Sequence, residues 1–378
     1  MKVAIIHEWL HTLAGAERVL EQLLACYPQA DLYATVDFMP AAERGFLNGR
    51  KVHTSFIQNL PFARTRFRAY LGLMPLAVEQ YDLSGYDLVL SSSHAVAKGV
   101  LTGPDTLHVS YVHSPIRYAW DLQHQYLRQT GLDRGLRSWY ARWQLGRLRQ
   151  WDVRTANGVD LFIANSSYVA RRIHKCYRRA SIVVPPPVDV AGFAPGGVRG
   201  DTYLAASRLV PYKRIDLIAA AFSRMPERRL LVAGDGPERE RVRAAAGGAP
   251  NITFVSEVSD SEMIRLMQEA RAFVFAAEED FGIMLVEAQA CGTPVIAFGR
   301  GGARDILVDG PTPTGLFFPE QTAEAIMAAV ETFEQRSATF APEACRENAQ
   351  RFSRESFRAR ILDLVDRARA GDRDLLDG

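Results

Sequence analysis

The feature that most constrains this chain is an alternation. Short, wholly apolar segments recur, each followed by a stretch able to form an amphipathic helix, in two series separated by a proline- and glycine-rich break. Residues 3–6, 87–91, 107–112 and 160–164 read as strands of the first series, with a helix over 16–25. A short continuous apolar run suits a strand covered on both faces, as in a parallel sheet. The break falls at Pro185-Pro186-Pro187-Val188-Asp189 and Pro195-Gly196-Gly197. Strands of the second series are expected at 203–206, 230–233, 252–255, 272–276 and 295–298, with helices starting near 213, 237, 260 and 282. This pattern predicts an α/β protein of two doubly wound, Rossmann-like domains, 1–195 and 196–352, followed by a helix and tail over 353–378. The last helix, 354–368, carries Phe357, Ile361, Leu362, Leu364 and Val365 on one face and is expected to return to the first domain. In such folds ligands bind outside the carboxyl ends of the strands, so a crevice between the domains is the expected site.

Bulk properties narrow the function. The 378 residues suffice for two ordinary domains. A net charge of +2 supplies no field that demands a nucleic-acid partner. Four cysteines, at 26, 176, 291 and 345, form neither zinc spacing nor a disulfide framework, which suits a reducing compartment. The run Met1-Lys2-Val3-Ala4-Ile5-Ile6 is too short for a signal peptide. No segment approaches the roughly 20 apolar residues that span a bilayer. A cytoplasmic protein is expected, with peripheral contact at the inner face of the plasma membrane at most.

The chemistry concentrates in Glu279-Asp280-Phe281-Gly282-Ile283-Met284-Leu285-Val286-Glu287. Glu279 belongs to a strand-to-helix loop. Glu287 lies inside the helix that follows, over 282–290, which Cys291-Gly292-Thr293-Pro294 stops. Free amides at the start of that helix favour an anionic or oxygen-rich ligand. Carboxylates beside such amides suit a molecule bearing both hydroxyls and phosphates, such as a nucleotide sugar.

Other segments contribute candidates. Arg208 and Lys213 follow the strand 203–206 and could neutralise a diphosphate, whereas Arg214 reads as surface. Gly234-Asp235-Gly236-Pro237 is a βα turn that suits either phosphate or base contact or a purely structural role. Gly299-Arg300-Gly301-Gly302 closes the strand 295–298 and reads as a flexible turn, or as unhindered backbone bordering the site. His113, just after the strand 107–112, points toward the ligand side of its sheet. The loop Ala14-Gly15-Ala16-Glu17 follows His7-Glu8-Trp9-Leu10 and lets backbone approach a phosphate, but G-x-G-x-x-G is missing, which disfavours a dehydrogenase or epimerase. Two aromatic and arginine-rich segments, 62–70 and 134–154, suit either an anionic bilayer or a core face with solvated arginines. Asp372-Arg373-Asp374 sits in a polar tail, and no His/Cys cluster is present, so no metal is expected.

These motifs together resemble the retaining family 4 glycosyltransferases of GT-B architecture, over nearly the whole chain. Glu279 to Glu287, continued by Ala288-Gln289-Ala290-Cys291-Gly292-Thr293-Pro294, looks like the E-x7-E element of that family. Arg208 and Lys213 are similar to its R-x4-K phosphate clamp. His7-Glu8-Trp9-Leu10 and Ala14-Gly15-Ala16-Glu17 look like the mannosyltransferase branch, which usually reads H-D-W-L and G-G-A-E; Glu8 and Ala14 are the departures. The resemblance implies that Arg208 and Lys213 bind the donor diphosphate and that Glu287 binds the ribose. It implies that Glu279, with the backbone of Phe281, Gly282 and Ile283, holds the transferred sugar. His113 would touch that sugar near its reacting carbon, with Gly15 beside the phosphates or the acceptor. Gly234 would border the donor, and backbone at Val255 and Ser256 would meet the base. The implied reaction moves a hexose with retention, most often mannose from GDP-mannose, onto a lipid-linked oligosaccharide in polysaccharide or O-antigen synthesis. No cofactor or metal is implied. A UDP-hexose enzyme of the same fold is the alternative donor reading. A catalytically silent nucleotide-sugar or glycan-binding subunit is the alternative from another class.

Overall fold

The computed structural model describes residues 1–196 and 198–376, so Gly197 of the expected linker lies outside the described residues. The chain divides into two compact units. One is Met1–Pro186 with the chain from Phe357 onward, and the other is Pro187–Ser356.

The first unit contains a sheet of seven strands: β1 (Val3–His7), β2 (Asp31–Ala34), β3 (Val52–Thr54), β4 (Leu88–Ser93), β5 (Leu107–Val112), β6 (Leu161–Ala164) and β7 (Ile182–Val183). All neighbours pair in parallel, in the order β3-β2-β1-β4-β5-β6-β7. The β1 side chains are fully buried, as expected for a strand covered on both faces. Helix Gly15–Cys26 follows β1 and buries Val19, Leu20, Leu23 and Leu24 against the sheet.

The helix Arg354–Arg369, followed by a single turn at Arg373–Leu376, buries Phe357, Ile361, Leu364 and Val365 in the same core. Each contributes about 1.5–3 kcal/mol before the cost of ordering the chain. Leu362, expected on that face, is instead exposed, because at about 100° per residue it falls outside the arc that Phe357, Ile361, Leu364 and Val365 share.

The second unit carries a six-stranded parallel sheet: β8 (Tyr203–Ala206), β9 (Leu230–Ala233), β10 (Ile252–Val255), β11 (Phe273–Phe275), β12 (Val295–Phe298) and β13 (Gly315–Phe318). Its order is β10-β9-β8-β11-β12-β13. The reversal between β8 and β11 is the topological switch point at which doubly wound sheets bind ligands. The units divide at 186 and 356, against boundaries expected at 195 and 352. Val188 explains the shift: its N–H donates to Phe352 O at 2.8 Å, and Val188 and Val190 are buried with Phe273 and Phe352.

Candidate functional site

In the second unit, the carboxyl ends of β8 and β11 bring Lys213 and Glu279 together. Arg208, exposed, leaves the end of β8. Pro211–Lys213 form a single 3-10 turn. Arg214 then adopts a left-handed conformation, φ 53°, so the helix starts at Ile215 rather than near 213. Arg214 is half-buried and donates to Asp216 at 3.3 Å instead of lying free on the surface.

Lys213 turns inward. Its ammonium contacts the Glu279 carboxylate and sits 5.7 Å from the centre of the Phe275 ring. The two side chains retain only 14% and 18% of their exposure, so cation and acid share a poorly hydrated corner.

Gly282, φ 103°, caps helix Ile283–Ala290, whose first amides lie directly after the Glu279 loop. Phe281 is buried, and Ile283 and Glu287 are half-buried, with Glu287 about one turn into the helix.

The segment Gly299-Arg300-Gly301-Gly302, read as a flexible turn, is packed against that loop. Gly302 N–H donates to Glu279 O at 2.8 Å. A Cβ on Gly301 (φ 71°) would meet Glu279 O at 2.4 Å. The run of glycines was visible in the sequence, but the element it touches was not. Gly234 has an equally local role. It is held at φ 124°, a Cβ there would meet Ser207 O at 2.0 Å, and its N–H donates to Val255 O at 2.8 Å. That turn therefore ties the ends of β8, β9 and β10 together, with half-buried Ser256 following directly.

In the first unit, parallel pairing sets the ends of β1, β4 and β5 side by side. His7 pairs with Ser92 in register. Its Nδ1 lies 3.1 Å from Ser92 Oγ, which lies 2.9 Å from His113 Nε2. The other His7 nitrogen is 3.5 Å from Glu17, which also accepts from Ala14 N–H at 3.0 Å. A polar chain therefore runs from Glu17, in the same helical turn as half-buried Gly15, through His7 and Ser92 to His113.

Burial, followed by the charges of His94 and His7, holds His113 well below the usual histidine range, so its ring is neutral. Burial pushes the Glu17 carboxyl up, but the hydrogen bond and charge of His7 outweigh it and leave the group below its ordinary value.

Glu8 is a functional surprise. Fully buried, it accepts from the amides of His94 (2.9 Å), Ala95 (2.6 Å), Val96 (2.8 Å) and Ala97 (3.1 Å) and from the Ser93 hydroxyl (3.2 Å). It fixes the loop after β4 that carries His94 beside His113, their rings 6.1 Å apart. Its place in the His7-Glu8-Trp9-Leu10 motif was the only sequence signal for this.

Among the described residues, no group of three or more His, Cys, Asp or Glu side chains is arranged to hold a metal ion. Asp372 accepts from Arg367 Nε at 2.9 Å.

Comparison with known proteins gives the class. Residues 13–191 match the family model described as Glycosyltransferase Family 4, and residues 199–352 match Glycosyl transferases group 1. Anabaena HepE in complex with UDP superposes with a TM-score of 0.69 at 18% identity, over 97% of this chain and 100% of that one. Sucrose-phosphate synthase from Thermosynechococcus elongatus gives 0.70 at 18%, over 98% and 100%. The two parallel sheets and these neighbours show the GT-B fold, and two glycosyltransferase family models match its two halves.

The family 4 model is matched by the first half of the chain and the group 1 model by the second. The D-inositol 3-phosphate glycosyltransferase of Mycobacterium leprae (strain Br4923) is 31% identical over 183 residues, 42% of this chain and 42% of that protein. The protein described in the same words from Mycobacteroides abscessus is 30% identical over 233 residues, 56% and 52%. The chain thus spans about half the length, or less, of these curated relatives.

Proposed function

We propose that this chain transfers a hexose from a nucleotide sugar, with retention, onto a lipid-linked oligosaccharide, and that the donor is GDP-mannose. The observation that carries the transferase reading is the contact of Lys213 with Glu279 at the β8–β11 switch point, directly before the amides of helix Ile283–Ala290. One cation, one acid and a helix start suit the phosphate and hydroxyl ends of such a donor. Arg208, Lys213 and those amides stabilise the charge of the departing diphosphate. Glu287 takes the ribose, and Glu279 takes the sugar. The acceptor hydroxyl attacks from the face the diphosphate leaves, and a donor phosphate oxygen receives its proton. His113 contributes a neutral imidazole beside the sugar. No metal takes part.

The mannose reading is supported by the likeness of His7-Glu8-Trp9-Leu10 and Ala14-Gly15-Ala16-Glu17 to the mannosyltransferase branch. A UDP-hexose donor is the second reading, favoured by fold neighbours that bind UDP and UDP-glucose.

A panel of nucleotide sugars, each incubated with lipid-linked and synthetic acceptors and analysed by mass spectrometry, separates the two. Transfer from GDP-mannose alone supports the first; transfer only from a UDP-sugar replaces it. Product formation by neither, with nucleotide sugar still bound, leaves the silent binding subunit. Glu287→Ala should raise the donor KM about tenfold or more through loss of a charged hydrogen-bond acceptor. An unchanged KM removes Glu287 from the ribose site.

A further inference from the structure

The first unit contains a second concave feature that the reaction above does not use. A cavity of about 790 Å³ opens between the turn Phe67–Leu73 and the helices Gln123–Gln129 and Gly135–Ala156. Leu71, Leu127, Leu145, Leu148, Tyr118 and Tyr126 form much of its wall. Arg68 and Arg137 also line it, and both are exposed. Neither pairs with a carboxylate among the described residues.

The wall is firmly held at one end and bare at the other. At the carboxyl end of the long helix, Asp152 accepts from Trp120 Nε1 (2.8 Å), Tyr177 OH (3.0 Å) and the buried Lys98 ammonium (2.8 Å). Trp151 donates to Glu79 at 2.7 Å, so this tryptophan is structural. At the amino end, Leu136, Trp139, Tyr140 and Trp143 stand 89%, 78%, 62% and 54% exposed, which a solvated helix has no reason to present. Arg64, Arg66 and Arg147 are exposed on the same segments.

A flat bilayer is satisfied by exposed aromatic and basic side chains. A hollow lined with leucine and tyrosine suits an apolar chain that enters it. Arg68 lies over the Phe67 ring at 4.7 Å, but neither guanidinium has a carboxylate partner among the described residues, and two such cations at one cavity favour a chain that ends in phosphate.

We propose that this cavity seats the isoprenoid chain of the lipid-linked acceptor, with Arg68 and Arg137 meeting the phosphate at the head of that chain. The inference rests on the lipid-linked acceptor proposed above and adds where the lipid is held.

The probe is farnesyl phosphate, titrated against the full chain and followed by tryptophan fluorescence, with farnesol, inorganic phosphate and phosphatidylglycerol vesicles as separate arms. Farnesyl phosphate should bind at least about tenfold more tightly than farnesol, and inorganic phosphate should not compete. Ala141→Trp fills the cavity from its wall and should weaken binding about tenfold or more. Thr130→Trp, at an exposed lining position, serves the same purpose if the first variant misfolds by circular dichroism. The double variant Arg68→Ala, Arg137→Ala should bring farnesyl phosphate down to the affinity of farnesol. Unchanged binding in a folded, filled variant overturns the inference. So does equal competition by vesicles free of isoprenoid, which would make the occupant a bilayer lipid.

Turnover separates this from the function itself. Ala141→Trp should raise the KM for a long-chain acceptor and spare a tail-less one. If the wild type glycosylates no acceptor, the proposed function falls, while the binding result still decides the cavity.

Discussion

Lys213 and Glu279 touch, although they leave different strands. Their loops follow β8 and β11, which are neighbours in the sheet. The ammonium and the carboxylate neutralise each other in a corner that water barely reaches, where an unpaired charge is costly. A donor phosphate arriving there therefore meets a cation already aimed and held, so little reorganisation is needed during reaction.

Lys213→Ala removes that cation and should lower kcat about 10²–10³-fold, the usual loss on deleting one pre-aimed charge stabiliser. Circular dichroism should remain that of the wild type. Steady-state transfer assays decide the matter, and wild-type turnover in a folded variant excludes Lys213 from the reaction.

Gly301→Ala tests the buttress behind Glu279. The added methyl meets Glu279 O at 2.4 Å, on a backbone at φ 71° that alanine adopts poorly. The variant should lose about 1–3 kcal/mol of stability and also lose transfer, because the loop carrying Glu279 must shift. Thermal unfolding and turnover are measured together. A variant equal to the wild type in both would mean that the loop moves without consequence.

Glu8→Gln keeps the shape of the side chain but leaves one acceptor oxygen where two served the four amides of 94–97 and the Ser93 hydroxyl. One of its amide hydrogens would face amide donors. A loss of about 2–4 kcal/mol in urea unfolding is expected, from charged hydrogen bonds lost and buried donors left unpaired. An unshifted midpoint would show that the loop after β4 has other supports.

Acid should unfold the first unit early. His108 is buried, with Ser91 Oγ 2.9 Å from one ring nitrogen and Gly158 O 3.1 Å from the other. Burial pushes it down from 6.5 to about 4. The folded ring is thus neutral where the unfolded one takes a proton. Stability from this residue is complete above pH 6.5 and declines as the pH falls toward 4, by about 3 kcal/mol in all. His94 and His113 are lowered by burial as well and act in the same sense. Urea unfolding at several pH values between 7.5 and 4 should show this slope, and His108→Gln should flatten it. A slope unchanged by the substitution would assign the acid sensitivity elsewhere.

Most of the strands that were legible in the sequence are buried on both faces. The segments 107–112, 203–206, 230–233 and 295–298 coincide with β5, β8, β9 and β12, because a strand in the middle of a parallel sheet is covered on both faces. The segment 252–255 coincides with β10, an edge strand that was legible from its β-branched and aromatic residues although only Ile252 is buried. β2, β3, β7 and β13 escaped notice. β3 and β7 are edge strands of three and two residues, and β2 and β13 contain half-buried positions that break the apolar run.

The candidate site divides in the same way. Its ingredients are local, so the sequence determined them: an acid before a helix, a second acid one turn inside it, a basic pair after a strand, and glycines at turns. Their partnerships are not local. That Lys213 meets Glu279 depends on β8 lying beside β11, and that His7, Ser92 and His113 form one chain depends on β1, β4 and β5 sharing a register. Glu8 finding four amides, and Gly301 and Gly302 closing on Glu279, likewise depend on which loops the packed sheet brings into contact. Side-chain type and spacing are written along the chain, whereas strand order is chosen by burial across it, so only the tertiary structure decided which of these groups would act together.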